Sequence, residues 1–212
     1  GSSMFSYLLG YQDPRLSAYF EASPSAYAVA AFDGKNYQAV PPGNANQQNT
    51  IYTDFSKPNI TSNTPTYWMR ASEVYFLRAE AALRGWGNET GAAVAGRLYE
   101  EGVRASMNYY GIASDKAEEY ISHLEGKDAF NGGSREEQLE QIITQKWLAV
   151  YPNGNEGWAE VRRTDYPRYL LLPRYGNNSS GEVENTKLIK RVSYPNSESR
   201  NPNKPAYTQG TK

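Results

Sequence analysis

The stretch YWMRASEVYFLRAEAALR, residues 67–84, decides the fold. Most of its residues are strong helix formers, Thr64-Pro65-Thr66 supplies a start, and Gly85 and Gly87 supply a stop. The pattern predicts a helix of about five turns. Apolar side chains fall on nearly every side of it: Ala71, Val74, Tyr75, Phe76, Leu77, Ala79, Ala82 and Leu83. A helix of that kind is covered on more than one face. Its charged residues are spaced to pair along the axis, Arg70 with Glu73 and Glu80 with Arg84.

Working outward, a short Gly-rich loop leads to a second helical run over 92–110, with small residues Ala95, Gly102 and Ala105 on a stripe that lets two axes approach closely. Two antiparallel helices of this length make one repeat unit of tetratricopeptide type. Ser114-Asp115 caps a short helix through Tyr120 and Ile121, and a loop follows at 126–133. Ser134-Arg135-Glu136-Glu137 is a capping box, followed by Leu139, Ile142, Ile143, Lys146, Trp147 and Val150 at helical spacing. That helix ends near Tyr151-Pro152, and another starts at Asn155 or Glu156 and stops at Tyr166-Pro167. These two form a second unit stacked on the first, so that 67–168 reads as helical repeats.

Toward the N-terminus, Phe5 to Leu9 reads as a short apolar helix, and Asp13-Pro14-Arg15-Leu16 opens another, with Pro at an N1-like position after an Asp cap. Over 28–40 two apolar runs flank Asp33-Gly34, a hairpin signal, with Lys35 and Asn36 lengthening the loop beyond two residues. Residues 41–65 read as a long surface loop with Tyr52 and Phe55 as aromatic anchors and Asn46, Gln47, Gln48 and Asn49 as hydrogen-bonding amides. The last segment, 169–212, reads as an extended wrapping tail. The fold class is mainly α, tetratricopeptide-like helix pairs with long irregular loops and a small β-hairpin.

The composition narrows function further. With 212 residues and 39% hydrophobic content the chain can bury a sizeable core. A net charge of −1 gives no basic field for phosphate backbones, so no nucleic acid is expected as a partner. No apolar run approaches the roughly 20 residues of a membrane span. There is no cysteine, and His123 is the one histidine, so thiolate chemistry, His-rich metal sites and zinc helices are excluded, and no cofactor is expected. A catalytic triad would have to use His123, and no nucleophile-elbow motif accompanies it. The glycines at 85, 87 and 91 miss the spacing of a phosphate cradle. Eighteen tyrosines and four tryptophans stand out. Such side chains join a flat apolar face to a polar handle, which suits sugar stacking as well as ordinary core packing. The expectation is a binding or scaffold protein with no catalytic residues.

Several segments, in order, resemble the SusD/RagB family of outer-membrane nutrient-binding lipoproteins. Asp13-Pro14-Arg15-Leu16 is similar to its DPRL element, and Glu73 with Leu77-Arg78-Ala79-Glu80-Ala81 to its E…LRAEA helix. Gln145-Lys146-Trp147-Leu148, Trp158 and Arg162-Arg163-Thr164-Asp165-Tyr166-Pro167 resemble its QKW…W…RRT-x-YP segment. Arg191-Val192-Ser193-Tyr194-Pro195, with Glu198 and Asn201, resembles its closing motif. The resemblance covers the C-terminal half of a family member. It implies a fragment or a partner polypeptide, with the signal peptide, the lipid-bearing cysteine and the first helical repeats in a missing N-terminal half.

The resemblance implies a superhelical α-α scaffold acting as the lid of a SusC-like TonB-dependent transporter. The protein is then a lipoprotein at the cell outer membrane, exposed at the surface, that captures a polysaccharide or oligosaccharide without chemistry. Most matched motifs are then structural, with Arg162 and Arg163 bonding helix ends and carboxylates. The ligand residues are expected in the variable loops: Tyr27, Asp33, Asn36, Tyr37, Tyr52 and, beside a glycine turn, Trp86. A rival expectation is an interaction scaffold that binds a protein through a continuous apolar groove. A glycosidase would instead need two carboxylates facing each other across a cleft.

Overall fold

The computed structural model describes residues 2–25, 30–40, 49–128, 130, 133–170, 188–192, 194, 195, 197 and 200. Among these the chain is mainly helical, with α1 at Ser2–Gly10, α2 at Arg15–Tyr19, α3 at Ala71–Arg84, α4 at Ala92–Tyr109, α5 at Ser114–Asp128, α6 at Arg135–Ala149 and α7 at Gly154–Thr164. Two strands, β1 at Ala30–Phe32 and β2 at Lys35–Tyr37, form an antiparallel hairpin between α2 and α3.

The hairpin turn is Asp33-Gly34 alone, with Phe32 opposite Lys35, so Lys35 and Asn36 belong to the strand and not to a longer loop. Both turn residues have positive φ, 48° and 69°. A two-residue hairpin turn of that kind matches the right-handed twist of its strands, and Asp and Gly are the residues that tolerate it.

α3 and α4 pack as an antiparallel pair, and α6 lies across both. Gly102 makes the close approach possible: a Cβ there would stand 2.7 Å from the Phe76 ring. Phe76, Val103, Met107, Ile142 and Ile143 form the centre of this core, all fully buried. α6 begins with the predicted capping box: Ser134 Oγ accepts from Glu137 N at 3.3 Å and Glu137 Oε2 from Ser134 N at 2.7 Å. α7 starts earlier than expected because Asn153 caps it, its Oδ1 accepting from Glu156 N at 3.2 Å. α5 runs through Asp128, into the stretch read as loop.

A second apolar cluster joins α1, α2 and the hairpin to α6 through Leu8, Leu16, Tyr19, Tyr37 and Leu148. The DPRL element links the two cores. Arg15 and Asp13 are both fully buried and paired at 2.6 Å, while Arg15 also donates to Ser106 Oγ on α4 and Gln145 Oε1 on α6. A buried arginine is tolerated when its donors are met in this way.

Two expectations for α3 fail. The helix begins at Ala71, not near Tyr67; α4 and α6 do cover it on more than one face, as expected, while Val74, 42% exposed, and Leu77, 39%, lie on an open side. Arg70 does not pair with Glu73 either: its Nη1 donates to the Tyr110 hydroxyl and to the carbonyls of Ala149 and Tyr151, at 2.8, 3.2 and 2.9 Å. Those carbonyls are left over at the end of α6. Arg70 is extended, φ −111° and ψ 156°, and the helix starts at the next residue, Ala71. The Glu80–Arg84 pair forms as predicted, at 2.7 Å.

Candidate functional site

Ahead of α3 the chain runs without regular structure through Tyr67, Trp68 and Met69. Three consecutive large apolar side chains cannot all turn to one core, and here they do not. Trp68 is 97% exposed and Met69 57%. Together with the turn between α6 and α7 they border a cleft of about 590 Å³, within the size range of small-ligand sites. Ile60, Thr64, Thr66, Tyr67 and Trp68 line it from one segment, and Val150, Pro152, Asn153 and Asn155 from the other, with Arg70, Ser72 and Glu73 completing the lining.

Arg70 organises the rings beside the cleft. Its guanidinium carbon lies 5.2, 4.2 and 5.4 Å from the ring centroids of Tyr67, Tyr109 and Tyr110, within cation–π range. Tyr67 meets Tyr109 edge-on at 5.3 Å, and partial burial with a hydrogen bond to Tyr67 pushes the Tyr109 hydroxyl up to about 12. The aromatic side chains are therefore held in place by Arg70, while Trp68 stands out in solvent. A fixed aromatic surface flanked by amides and hydroxyls has the chemistry to stack on a sugar ring and bond its hydroxyls.

Among the described residues Glu73 is the one carboxylate lining the cleft, and its Oε1 lies 3.5 Å from Lys146 Nζ. Lys146, 2% exposed, also reaches Glu160 at 2.8 Å and Glu156 at 3.2 Å. Burial costs this lysine its charged form, but the carboxylates outweigh that and raise its pKa. Burial likewise raises the Glu73 carboxyl, against the pull of Lys146. Arg163 continues the network to Glu80 and Glu160, at 2.7 and 2.6 Å, so it bonds carboxylates as expected; Arg162 instead lies over the Trp158 ring at 5.6 Å. This network ties α3, α6 and α7 together. It does not set two carboxylates against each other across the cleft, as glycoside hydrolysis requires.

The residues singled out from sequence are dispersed. Tyr27 lies outside the described residues. Asp33 and Asn36 are exposed on the hairpin. Tyr37 is 1% exposed and packs against Phe5, with ring centroids 6.5 Å apart, so it is a core residue and its ring has no face to offer. Strand alternation explains this: with Asn36 turned out, Tyr37 turns in. Tyr52 is half-buried in a 3₁₀ turn, its ring 6.0 Å from Phe55. Trp86 is 61% exposed, with Arg84 lying 5.3 Å from its ring, but it follows the C-terminal end of α3, about 20 Å of helix away from the cleft residue Arg70. Sequence reasoning missed Trp68 because it placed the residue inside the helix. Pro65 and the unbroken apolar triplet were the available signals.

A second groove, about 790 Å³, runs past Met4, Trp147, Trp158, Val161, Ile189 and Val192. There Trp158 Nε1 donates to the Ile189 carbonyl at 2.6 Å, holding residues 188–190 along α7. Among the described residues no helix is long and apolar enough to cross a membrane, and no group of three or more acidic or histidine side chains is placed to hold a metal ion.

A family model described as SusD-like, "Susd and RagB outer membrane lipoprotein", matches residues 1–212. A SusD homologue from Bacteroides ovatus is 34% identical with a TM-score of 0.78, the match covering 100% of this chain and 47% of that one. One from Bacteroides vulgatus is 31% identical with a TM-score of 0.78, covering 100% and 45%. A chitin-binding SusD homologue from Flavobacterium johnsoniae is 30% identical with a TM-score of 0.72, covering 99% and 45%. The chain thus spans somewhat under half the length of these solved relatives. No curated protein matches it.

Proposed function

The chain belongs to the SusD-like family of outer membrane lipoproteins, and from that premise we propose that it captures a glycan at the outer cell surface, without catalysis, and passes it to a TonB-dependent transporter of SusC type. The observation that carries the reading is the cleft beside Trp68, where a 97% exposed indole adjoins the anchored Tyr67, with threonines and asparagines. A glycan-binding relative of the same fold supports it, since the Flavobacterium johnsoniae protein binds chitin. Stacking on the indole supplies affinity, the amides and hydroxyls orient the sugar, and among the described residues no opposed carboxylates line the cleft to cleave it.

Affinity electrophoresis of the chain against a panel of polysaccharides tests this, with Trp68→Ala beside the wild type. Trp68→Ala should fold normally, since its side chain is exposed, yet bind at least about tenfold more weakly, as expected for deletion of a contact worth roughly 1.5 to 3 kcal/mol. Equal retardation of both proteins by every retained glycan would remove the cleft from the reading. The rival, an interaction scaffold, is favoured by the apolar groove past Trp158 and Val192. It is supported if no glycan retards the wild type.

A further inference from the structure

We propose that the cleft selects acidic saccharides, with the Nε–Nη2 edge of Arg70 holding a sugar carboxylate while Trp68 stacks on the ring. This rests on the glycan-capture reading and goes beyond it to the class of glycan.

A guanidinium carries five N–H groups in one plane. Nη1 of Arg70 is shared among the Tyr110 hydroxyl and the carbonyls of Ala149 and Tyr151. Nε and Nη2 donate to no group among the described residues, and no carboxylate among them lies within ion-pair distance of Arg70. Other arginines of the helical core are treated differently: Arg15 pairs with Asp13, Arg84 with Glu80, and Arg163 with Glu80 and Glu160. Arg70 is half-buried and lines the cleft, so it carries a charge with no counterion among the described residues at the place where a ligand would sit.

The geometry of the free edge fits an oxyanion that presents two oxygens side by side. Nε–H and Nη2–H are parallel donors that match the two oxygens of a carboxylate. The tyrosine rings and the three Nη1 bonds hold the fork in place, so little freedom is lost when an anion arrives. The opposing charge in the cleft, Glu73, is engaged by Lys146, which leaves Arg70 as the charge presented beside Trp68. A neutral sugar would leave the free edge without an ionic partner, whereas a uronate-type residue stacked on Trp68 would satisfy it.

The test compares one glycan with its charge present and masked. Calorimetric titration of the wild-type chain with an oligogalacturonate, its methyl ester and chitin oligosaccharides of equal length should show the acid bound at least tenfold more tightly than the ester, with the preference shrinking as salt is raised. Arg70→Lys keeps a charge but loses the parallel fork, and should bring the acid-to-ester ratio close to one. Circular dichroism melts establish whether that variant folds; if it does not, the acid and ester titrations of the wild type decide alone. Equal affinity for acid and ester, or an Arg70→Lys variant that folds and keeps the preference, overturns the assignment. Binding of chitin oligosaccharides with no preference for the acid overturns it too, while leaving glycan capture standing. Binding of none of these ligands, with no retardation in the polysaccharide panel, overturns both.

Discussion

Replacing Lys146 by Met would show how far the scaffold depends on one buried charge. The side chain is 2% exposed and faces Glu160, Glu156 and Glu73 at 2.8, 3.2 and 3.5 Å. Methionine fills the space of the lysine stem, so what is lost is the charge and its bonds, not volume. Arg163 still covers Glu160 from its other oxygen at 2.6 Å, which leaves Glu73 as the carboxylate most exposed to the loss. Breaking a buried ion pair by removing one partner costs about 3 to 5 kcal/mol, against a total stability of about 5 to 15 kcal/mol for a typical domain. Urea unfolding followed by tryptophan fluorescence at neutral pH should therefore show a much lower midpoint with an unchanged slope. The pH dependence gives a second check. Without the lysine, the Glu73 carboxyl, which burial already raises, loses the partner that pulls it down and holds its proton more tightly than in the unfolded chain, so the variant gains stability relative to wild type as pH falls toward 4. A loss below about 1 kcal/mol at neutral pH, or one that does not change with pH, would refute the role of Lys146 as the counterion of this network.

Gly102→Ala would place a methyl group 2.7 Å from the buried Phe76 ring. Overpacking of about 1 to 3 kcal/mol should outweigh the helix propensity gained, while Gly154→Ala, with nothing within 4 Å of the added Cβ, should not lower the melting temperature. A Gly102→Ala protein as stable as wild type would mean the α3–α4 interface can shift at little cost. Glu80 gives an acid-side prediction: burial raises its carboxyl, but the hydrogen bonds from Arg163 and Arg84 outweigh this and hold it below the ordinary carboxylate value. Its folded form binds a proton less readily than the unfolded chain, so its contribution is present above about pH 4.5 and is lost as pH falls through the lowered value. Thermal melts between pH 5 and about 3 should fall more steeply for wild type than for Glu80→Gln.

How much of this was legible beforehand follows from the range of the forces involved. The capping box at Ser134, the Glu80–Arg84 pair and the stops at Gly85 and Tyr151-Pro152 are all settled within a few residues, and all form as the local pattern demands. The role of Gly102 was also readable, because a small residue on an otherwise bulky stripe implies a close neighbour. Strand alternation was there to be read too, and would have placed Tyr37 inside once Asn36 was placed outside.

What the sequence by itself determined was the set of helices, their pairing in tetratricopeptide fashion and the family, because periodicity, caps and ordered motifs are local or additive along the chain. The start of α3 and the site were decided elsewhere. Arg70 looked like a partner for Glu73, three residues along the expected helix, yet it is claimed by Tyr110, Ala149 and Tyr151, residues 40 to 81 positions later. With Arg70 anchored there, its backbone is extended, the helix begins at Ala71, and Trp68 stands 97% exposed beside the cleft. Local propensity is worth a few tenths of a kcal/mol per residue, and the two Nη1 N–H groups of Arg70, shared among three acceptors at roughly 1.5 to 3 kcal/mol per charged hydrogen bond, outweigh it.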